Sequence, residues 1–275
     1  MRIPLILAMK EFRDGLRNRW IAAAILLLTG LTLTVAFLGS APVGTTGGTG
    51  LGITVASLSS LSVYLVPLIA LMLSYDAIVG EAESGTLLLL LSYPVSRWQL
   101  IAGKFLGHLA ILSMAIIIGY GAAAAAVATF TGATANDYAA LLALIGSSIL
   151  LGAVFLMLGY LMSAIASEQA TAAGMAIGLW LTLVLLYDLV LLGILMVDAS
   201  HVIGERTFAG LLILNPADAF RVFNLTQFDS VSVVAGLAGP GMTSAPSPYL
   251  ALCAMAAWAV SAGLLVCLRF GRNDP

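Results

Sequence analysis

Six long apolar runs dominate this chain, near residues 20–38, 56–75, 105–130, 138–166, 170–197 and 249–270. A helix needs about 20 mostly apolar residues to cross a bilayer, and lipid leaves every backbone polar group to be satisfied within the protein. The expected fold is an all-α polytopic membrane protein with six transmembrane helices, forming one membrane domain over 1–275. The charged share of 9%, against about 25% in a soluble domain, leaves little material outside the membrane. A formal net charge of −2 carries no nucleic-acid signal.

Lys and Arg set the expected orientation. Arg2, Lys10, Arg13, Arg17 and Arg19 precede the first run, Arg97 and Lys104 precede the third, and Arg269 and Arg272 close the sixth. Arg206 and Arg221 alone fall on the other side, so both termini are expected in the cytoplasm. The first run is long enough to span and has a long basic lead, which makes it a retained anchor rather than a cleaved signal. Within residues 1–19, Leu5, Met9, Phe12, Leu16 and Trp20 recur at helical spacing, opposite Lys10, Arg13, Asp14, Arg17 and Asn18. This predicts an amphipathic elbow helix at the membrane surface. Lys10, Glu11, Arg13 and Arg17 then serve either as a topological anchor or as a contact for a cytosolic partner.

Residues 76–104, DAIVGEAESGTLLLLLSYPVSRWQLIAGK, form a charged, Gly- and Pro-broken island between two apolar runs. A membrane chain concentrates charge where it leaves lipid or does work. Glu81 and Glu83 ahead of Ser84, Gly85 and Thr86 predict a short cytosolic helix that docks on a partner protein. A second cytosolic turn, around residues 163–171, carries Glu168 and Gln169 at its tip; it is either a plain polar turn or a second docking contact.

On the opposite side, 198–247 is the one sizeable segment expected outside the membrane. Asn215-Pro216 followed by Asp218 reads as a helix start, with an N-cap, Pro at the first helical position and an acid in the first turn. Phe220 and Phe223 give that helix an apolar face that must dock on its own spans, a second copy or an outer partner. Residues 39–52 are a glycine-rich loop, and 236–248, with Pro240, Pro246 and Pro248, read as an irregular connector.

The chemistry-bearing patterns are few. Asp188 is the only charge inside the fifth run, and its carboxylate should face the bundle interior, a subunit seam or a polar cavity. It acts either as a cation contact or as a packing group. No P-loop occurs, since Gly103-Lys104 has no glycine five residues earlier and opens no strand-to-helix turn; this chain cannot hydrolyse ATP alone. No GxGD, HExxH or nucleophile elbow occurs. The methionines are scattered packing residues, while His201 and Met242 are too far apart in sequence to define a site, so no metal site is assigned. Cys253 and Cys267 lie fourteen residues apart on one expected helix, beyond disulfide reach.

Together, the basic lead Lys10-Glu11…Arg17-Asn18-Arg19-Trp20, six runs and the GEAESGTLLLLLSYPVSRWQLIAGK segment resemble membrane subunits of ABC exporters of the type V class. With YDL around Asp188 and the outer NPADAFR, the resemblance is to the permease branch that serves maturation of the copper enzyme nitrous oxide reductase. The resemblance implies a homodimer in a bacterial inner membrane, working with two copies of a cytosolic ATPase (NosF-like), which carries the ATP and Mg. It also implies an outer copper-handling subunit (NosD-like). Carried over by position, Glu81–Thr86 match the first coupling helix, Ala166–Gln169, with Glu168 and Gln169, a second coupling turn, and Asn215, Pro216, Asp218, Phe220 and Arg221 the loop that holds the outer subunit. A self-sufficient secondary transporter or channel built on Asp188 is the alternative; it would call for interrupted helices and several charges at the midplane.

Overall fold

The computed structural model describes residues 2–39, 50–92, 95–131, 134–197, 205–226 and 247–272, and every element among them is helical. In chain order these are α1 (Arg2–Arg17), α2 (Arg19–Gly39), α3 (Gly50–Ser74), α4 (Val79–Glu83), α5 (Thr86–Ser92), α6 (Arg97–Thr131), α7 (Ala135–Ile165) and α8 (Gln169–Trp180). A π-helical segment, Leu181–Leu186, leads into α9 (Tyr187–Val197), followed by α10 (Glu205–Leu214), α11 (Pro216–Thr226) and α12 (Pro248–Arg272). Of the loop expected over 39–52, Gly39 belongs to α2 and residues 50–52 to α3, because the flanking helices extend into it; residues 40–49, His201, Pro240, Met242 and Pro246 lie outside the described residues. Pro248 opens α12, so the connector ends one residue before it.

Among the described residues, five stretches are long and apolar enough to cross a bilayer: Leu51–Glu83, Arg97–Phe130, Ala135–Ile165, Gln169–Ile194 and Pro248–Phe270. The first expected run lies in α2, where the apolar stretch Ile25–Phe37 is shorter. The third begins at Arg97, eight residues before the apolar run, because nothing between Arg97 and Lys104 breaks a helix. Local chemistry fixes some starts. α7 opens on a capping box in which the Thr134 hydroxyl accepts from the Asp137 N–H and the Asp137 carboxylate accepts from the Thr134 N–H, satisfying two donors that the first turn leaves over.

α3, α6 and α7 form the centre, with Leu58, Leu112, Leu144 and Phe155 fully buried between them. α12 packs on α7, and α2 on α6. The span Gln169–Ile194 has only 11% of its apolar window buried, and Leu186, Leu189 and Leu192 project outward from it. An outward row of leucines costs nothing in hydrocarbon, where lipid replaces the protein core.

Helix α1 runs along the start of α6. Its contact face differs from the expected one. Leu5, Met9 and Leu16, three of the five stripe residues, point away and are exposed. Leu7, Ala8, Glu11 and Phe12 face α6, because Gly103 and Gly107 give them room. A Cβ on Gly107 would stand 2.6 Å from the Glu11 Cβ and 2.9 Å from the Ala8 carbonyl oxygen. This is the small-xxx-small spacing that lets helix backbones approach closely, and Leu5, Met9 and Leu16 are left uncovered by the chain.

Candidate functional site

Among the described residues, paired charges gather at the two ends of the bundle. At the end that carries most Lys and Arg, the basic end, α4 and α5 fold as a short break between α3 and α6. The Ile78 and Val79 N–H groups both donate to the Ser163 hydroxyl at 3.0 Å, which seats the break on the end of α7. Beyond α4 the chain turns at Gly85, whose φ of +71° is open to glycine at no steric cost. Ser84 and Thr86 close the turn: both hydroxyls reach the Glu81 carbonyl, and they lie 2.9 Å from each other.

The two glutamates of α4 have separate roles. Glu83 is exposed and its Oε1 accepts from the Gln169 N–H at 2.9 Å. The two expected docking elements therefore form one surface, with Ser84, Gly85, Thr86, Glu168 and Gln169 all exposed around that bond. Glu81 turns inward. Its Oε1 sits 2.6 Å from Lys104 Nζ, which also lies 3.3 Å from Glu11 Oε1. A free docking carboxylate at Glu81 is thus corrected to an internal ion pair, since Lys104 is buried and needs an anion. Burial alone would raise the Glu11 carboxyl, but Lys104 and then Lys10 hold it below its ordinary value. Lys10 faces solvent beside Glu11 and Asp14, and Arg13 and Arg17 are exposed on the same helix.

Below this knot His108 is buried. Its Nδ1 lies 2.7 Å from the Tyr160 hydroxyl, and its Nε2 is 3.9 Å from Glu11. Lys104 and His108 stand four residues apart at the head of an apolar helix, a spacing that already places both on one face. Their partners come from other elements. Arg97 reaches across to the last turn of α12, donating to the Phe270 carbonyl at 2.5 Å.

At the far end, α11 begins as expected: the Asn215 side-chain oxygen accepts from the Ala217 N–H at 3.1 Å, ahead of Pro216. Its aromatic face docks on the chain's own spans, against α3, α7 and α12, with Phe220 and Phe223 buried. Asn224 crosses to Ser147 of α7 at 2.9 Å. Asn215, Pro216, Asp218 and Phe220 are themselves buried, so their side chains hold α11 to the bundle and do not present a surface to an outer partner. Arg221 alone among that set is partly exposed, and it is occupied.

Its occupation settles the surroundings of Asp188. Arg221 Nη1 donates to Asp188 Oδ2 and to Asp218 Oδ1, the latter at 3.1 Å, while Nη2 reaches the Tyr64 hydroxyl at 3.3 Å. The carboxylate is paired with a cation thirty-three residues away, not lone. Burial pushes the Asp218 carboxyl up to about 7; Asp188 adds to the rise, and Arg221 and Asn215 oppose it. Asp188, Asp218 and Arg221 edge an open cleft of about 310 Å³ whose walls include Leu191, Leu192, Phe208 and Leu212. Among the described residues no group of three or more His, Cys, Asp or Glu is arranged to hold a metal ion.

The span that carries Asp188 is not wound uniformly. Across Leu181–Leu186 it takes π-helical winding, and the Tyr187 N–H bonds to the Thr182 carbonyl five residues back. Trp180 donates to the Tyr64 carbonyl at 3.0 Å, Asn215 Nδ2 to the Leu183 carbonyl at 2.6 Å, and the Tyr187 hydroxyl to the Leu211 carbonyl at 2.7 Å.

A helical integral membrane protein with one exposed polar face at its basic end, and polar-latched helices at its far end, is the architecture of a transporter's membrane subunit. The family model for ABC-2 family transporter proteins matches residues 5–275, and the chain belongs to that family. It is 48% identical over 268 residues to the probable ABC transporter permease protein NosY of Pseudomonas aeruginosa, covering 95% of each chain. It is 44% identical over 255 residues to the protein of the same name in Stutzerimonas stutzeri, covering 91% of each. The chain is therefore a membrane permease component of an ABC transporter, a class that works with ATPase partners.

Proposed function

We propose that this permease couples a separate cytosolic ATPase to an outer partner during copper-site assembly of nitrous oxide reductase. The reading is supported by the relatives' name and by the bond that joins Glu83 to Gln169. That bond makes α4 and the turn before α8 one unit, so a push on either is felt by both α7 and the span that carries Asp188. In this reading the basic end faces the cytoplasm, both termini lie there, and the bilayer is the bacterial inner membrane, in keeping with the distribution of Lys and Arg. Two copies of the chain sit on an ATPase dimer of the NosF type, which binds the ATP and Mg. A NosD-type subunit handles copper outside, and copper is cargo of the assembly, not a ligand of this chain.

The test is co-purification. Glu83→Lys with Glu168→Lys reverses two exposed charges and leaves the internal Glu81 pair intact. Removal of a charged partner from a desolvated contact typically costs about 2–5 kcal/mol, so the ATPase should be lost from the detergent-purified complex while the permease stays monodisperse. Recovery of the ATPase at the wild-type ratio overturns the assignment.

A further inference from the structure

The span Gln169–Ile194 is tied at both ends, and the π segment lies between the ties. At its base the Gln169 N–H is held by Glu83. At its top Tyr187 is bonded to α10 and Asp188 to Arg221 of α11. A π turn holds one residue more than an α turn, and such turns concentrate at functional positions. Where the winding returns to α, one carbonyl is left over. The Leu183 carbonyl accepts from Asn215 Nδ2, a side chain supplied by the first residue before α11. The same amide group that caps the outer helix therefore also stabilises the π winding.

We infer that Leu181–Leu186 is a register switch, in which the π-wound state keeps α10 and α11 latched and conversion to α winding releases them. The geometry of a helix makes the two events one. An α-helix turns by about 100° per residue and rises 1.5 Å, so absorbing the extra residue rotates α9 by about 100° relative to α8. Asp188 would leave Arg221, Tyr187 would leave the Leu211 carbonyl, and the Leu183 carbonyl would return to the helix and free Asn215. The released set comprises the bonds from Tyr187, Asp188 and Leu183 that join this span to Leu211, Arg221 and Asn215. α11 keeps its Asn224–Ser147 bond and its aromatic face on α3, α7 and α12, so it is loosened on one side and not expelled. Only the driving force, a push arriving at Gln169, rests on the proposed ATPase coupling; the switch itself rests on the bonds above.

The test uses spin labels at Leu189→Cys on α9 and Leu214→Cys on α10, both outward-facing, in a full-length chain with Cys253 and Cys267 replaced by Ser. Labelled chain is diluted with unlabelled chain so that only distances within one copy are read. At a side-chain radius of about 5 Å, a turn of about 100° sweeps the α9 label by roughly 8 Å. Asn215→Ser keeps an N-cap hydroxyl for α11 but is too short to reach Leu183. It should move the distance distribution from one population to a second, displaced by several Å (about the scale of that sweep), without nucleotide. Deletion of Leu185 removes the extra residue and allows α winding with Asp188 still facing Arg221. It should hold the first population and make it insensitive to Asn215→Ser. The switch is overturned if Asn215→Ser leaves the distribution unchanged, or if the deletion moves it. In the complex with the cognate ATPase, ATP should shift the wild-type chain to the second population. A shift with Asn215→Ser but none with ATP leaves the switch standing and overturns the proposed coupling instead.

Discussion

Lys104→Met is the sharpest perturbation of the basic end. The ammonium lies 2.6 Å from Glu81 and 3.3 Å from Glu11, with side-chain exposures of 6%, 17% and 13% for Lys104, Glu81 and Glu11. Glu81 Oε2 is buried without a hydrogen-bond partner, so Lys104 is the main compensation for that carboxylate. Methionine fills the same volume, which confines the effect to charge. Removing one member of a buried ionic group costs about 3–5 kcal/mol, because the uncompensated charges stay buried. Here two carboxylates would be left facing each other, which places the expected loss at the upper end. Replacing all three by Met removes the stranded charges too, and such wholesale replacement is commonly neutral. The assay is reversible unfolding in mixed micelles by SDS titration, followed by tryptophan fluorescence. A loss under about 1 kcal/mol for Lys104→Met, the size of an exposed pair, would refute the reasoning. So would a triple variant no more stable than the single one.

At the far end, Arg221→Met should be far more damaging than Asp188→Asn, since the first strands two carboxylates and the second leaves Arg221 balanced by Asp218; the same SDS titration ranks them. The Asp218 carboxyl is raised from its ordinary 3.8 to about 7, so the folded state binds its proton more tightly than the unfolded chain. The stabilisation is complete below the ordinary value and lost as pH rises through about 7. Unfolding titrations at pH 5 and pH 8 should show a fall in stability that Asp218→Asn abolishes. Gly107→Leu should lift α1 from α6, because even the Cβ meets the Ala8 carbonyl at 2.9 Å. Overpacking of this kind costs about 1–3 kcal/mol. Faster proteolysis near Arg13 and Arg17 with an unchanged unfolding midpoint for the span bundle would report it.

Hydrophobicity is written residue by residue, and a membrane solvent reads it locally. That is why the positions of five of the spans, the short helix around Glu81 and Glu83, the turn at Glu168 and the helix start at Asn215-Pro216 were legible in the sequence. Each depends on neighbours within a few positions: a run of apolar side chains, a cap, a glycine. The partners of the charges were not legible, because a pairing depends on how separately formed helices cross. Asp188 reads as a lone carboxylate until α11 brings Arg221 to it, and Glu81 reads as a docking group until α1 and α6 bring Glu11 and Lys104 beneath it. The face of α1 followed the same rule: its apolar stripe is real, but the glycines at 103 and 107 decided that Leu7, Ala8, Glu11 and Phe12 would pack, leaving most of the stripe exposed. The π winding before Asp188 is likewise a tertiary outcome. Leu181–Leu186 is as apolar as any stretch of that span, and the bond that supports its extra residue comes from Asn215, on a helix that only packing places beside it.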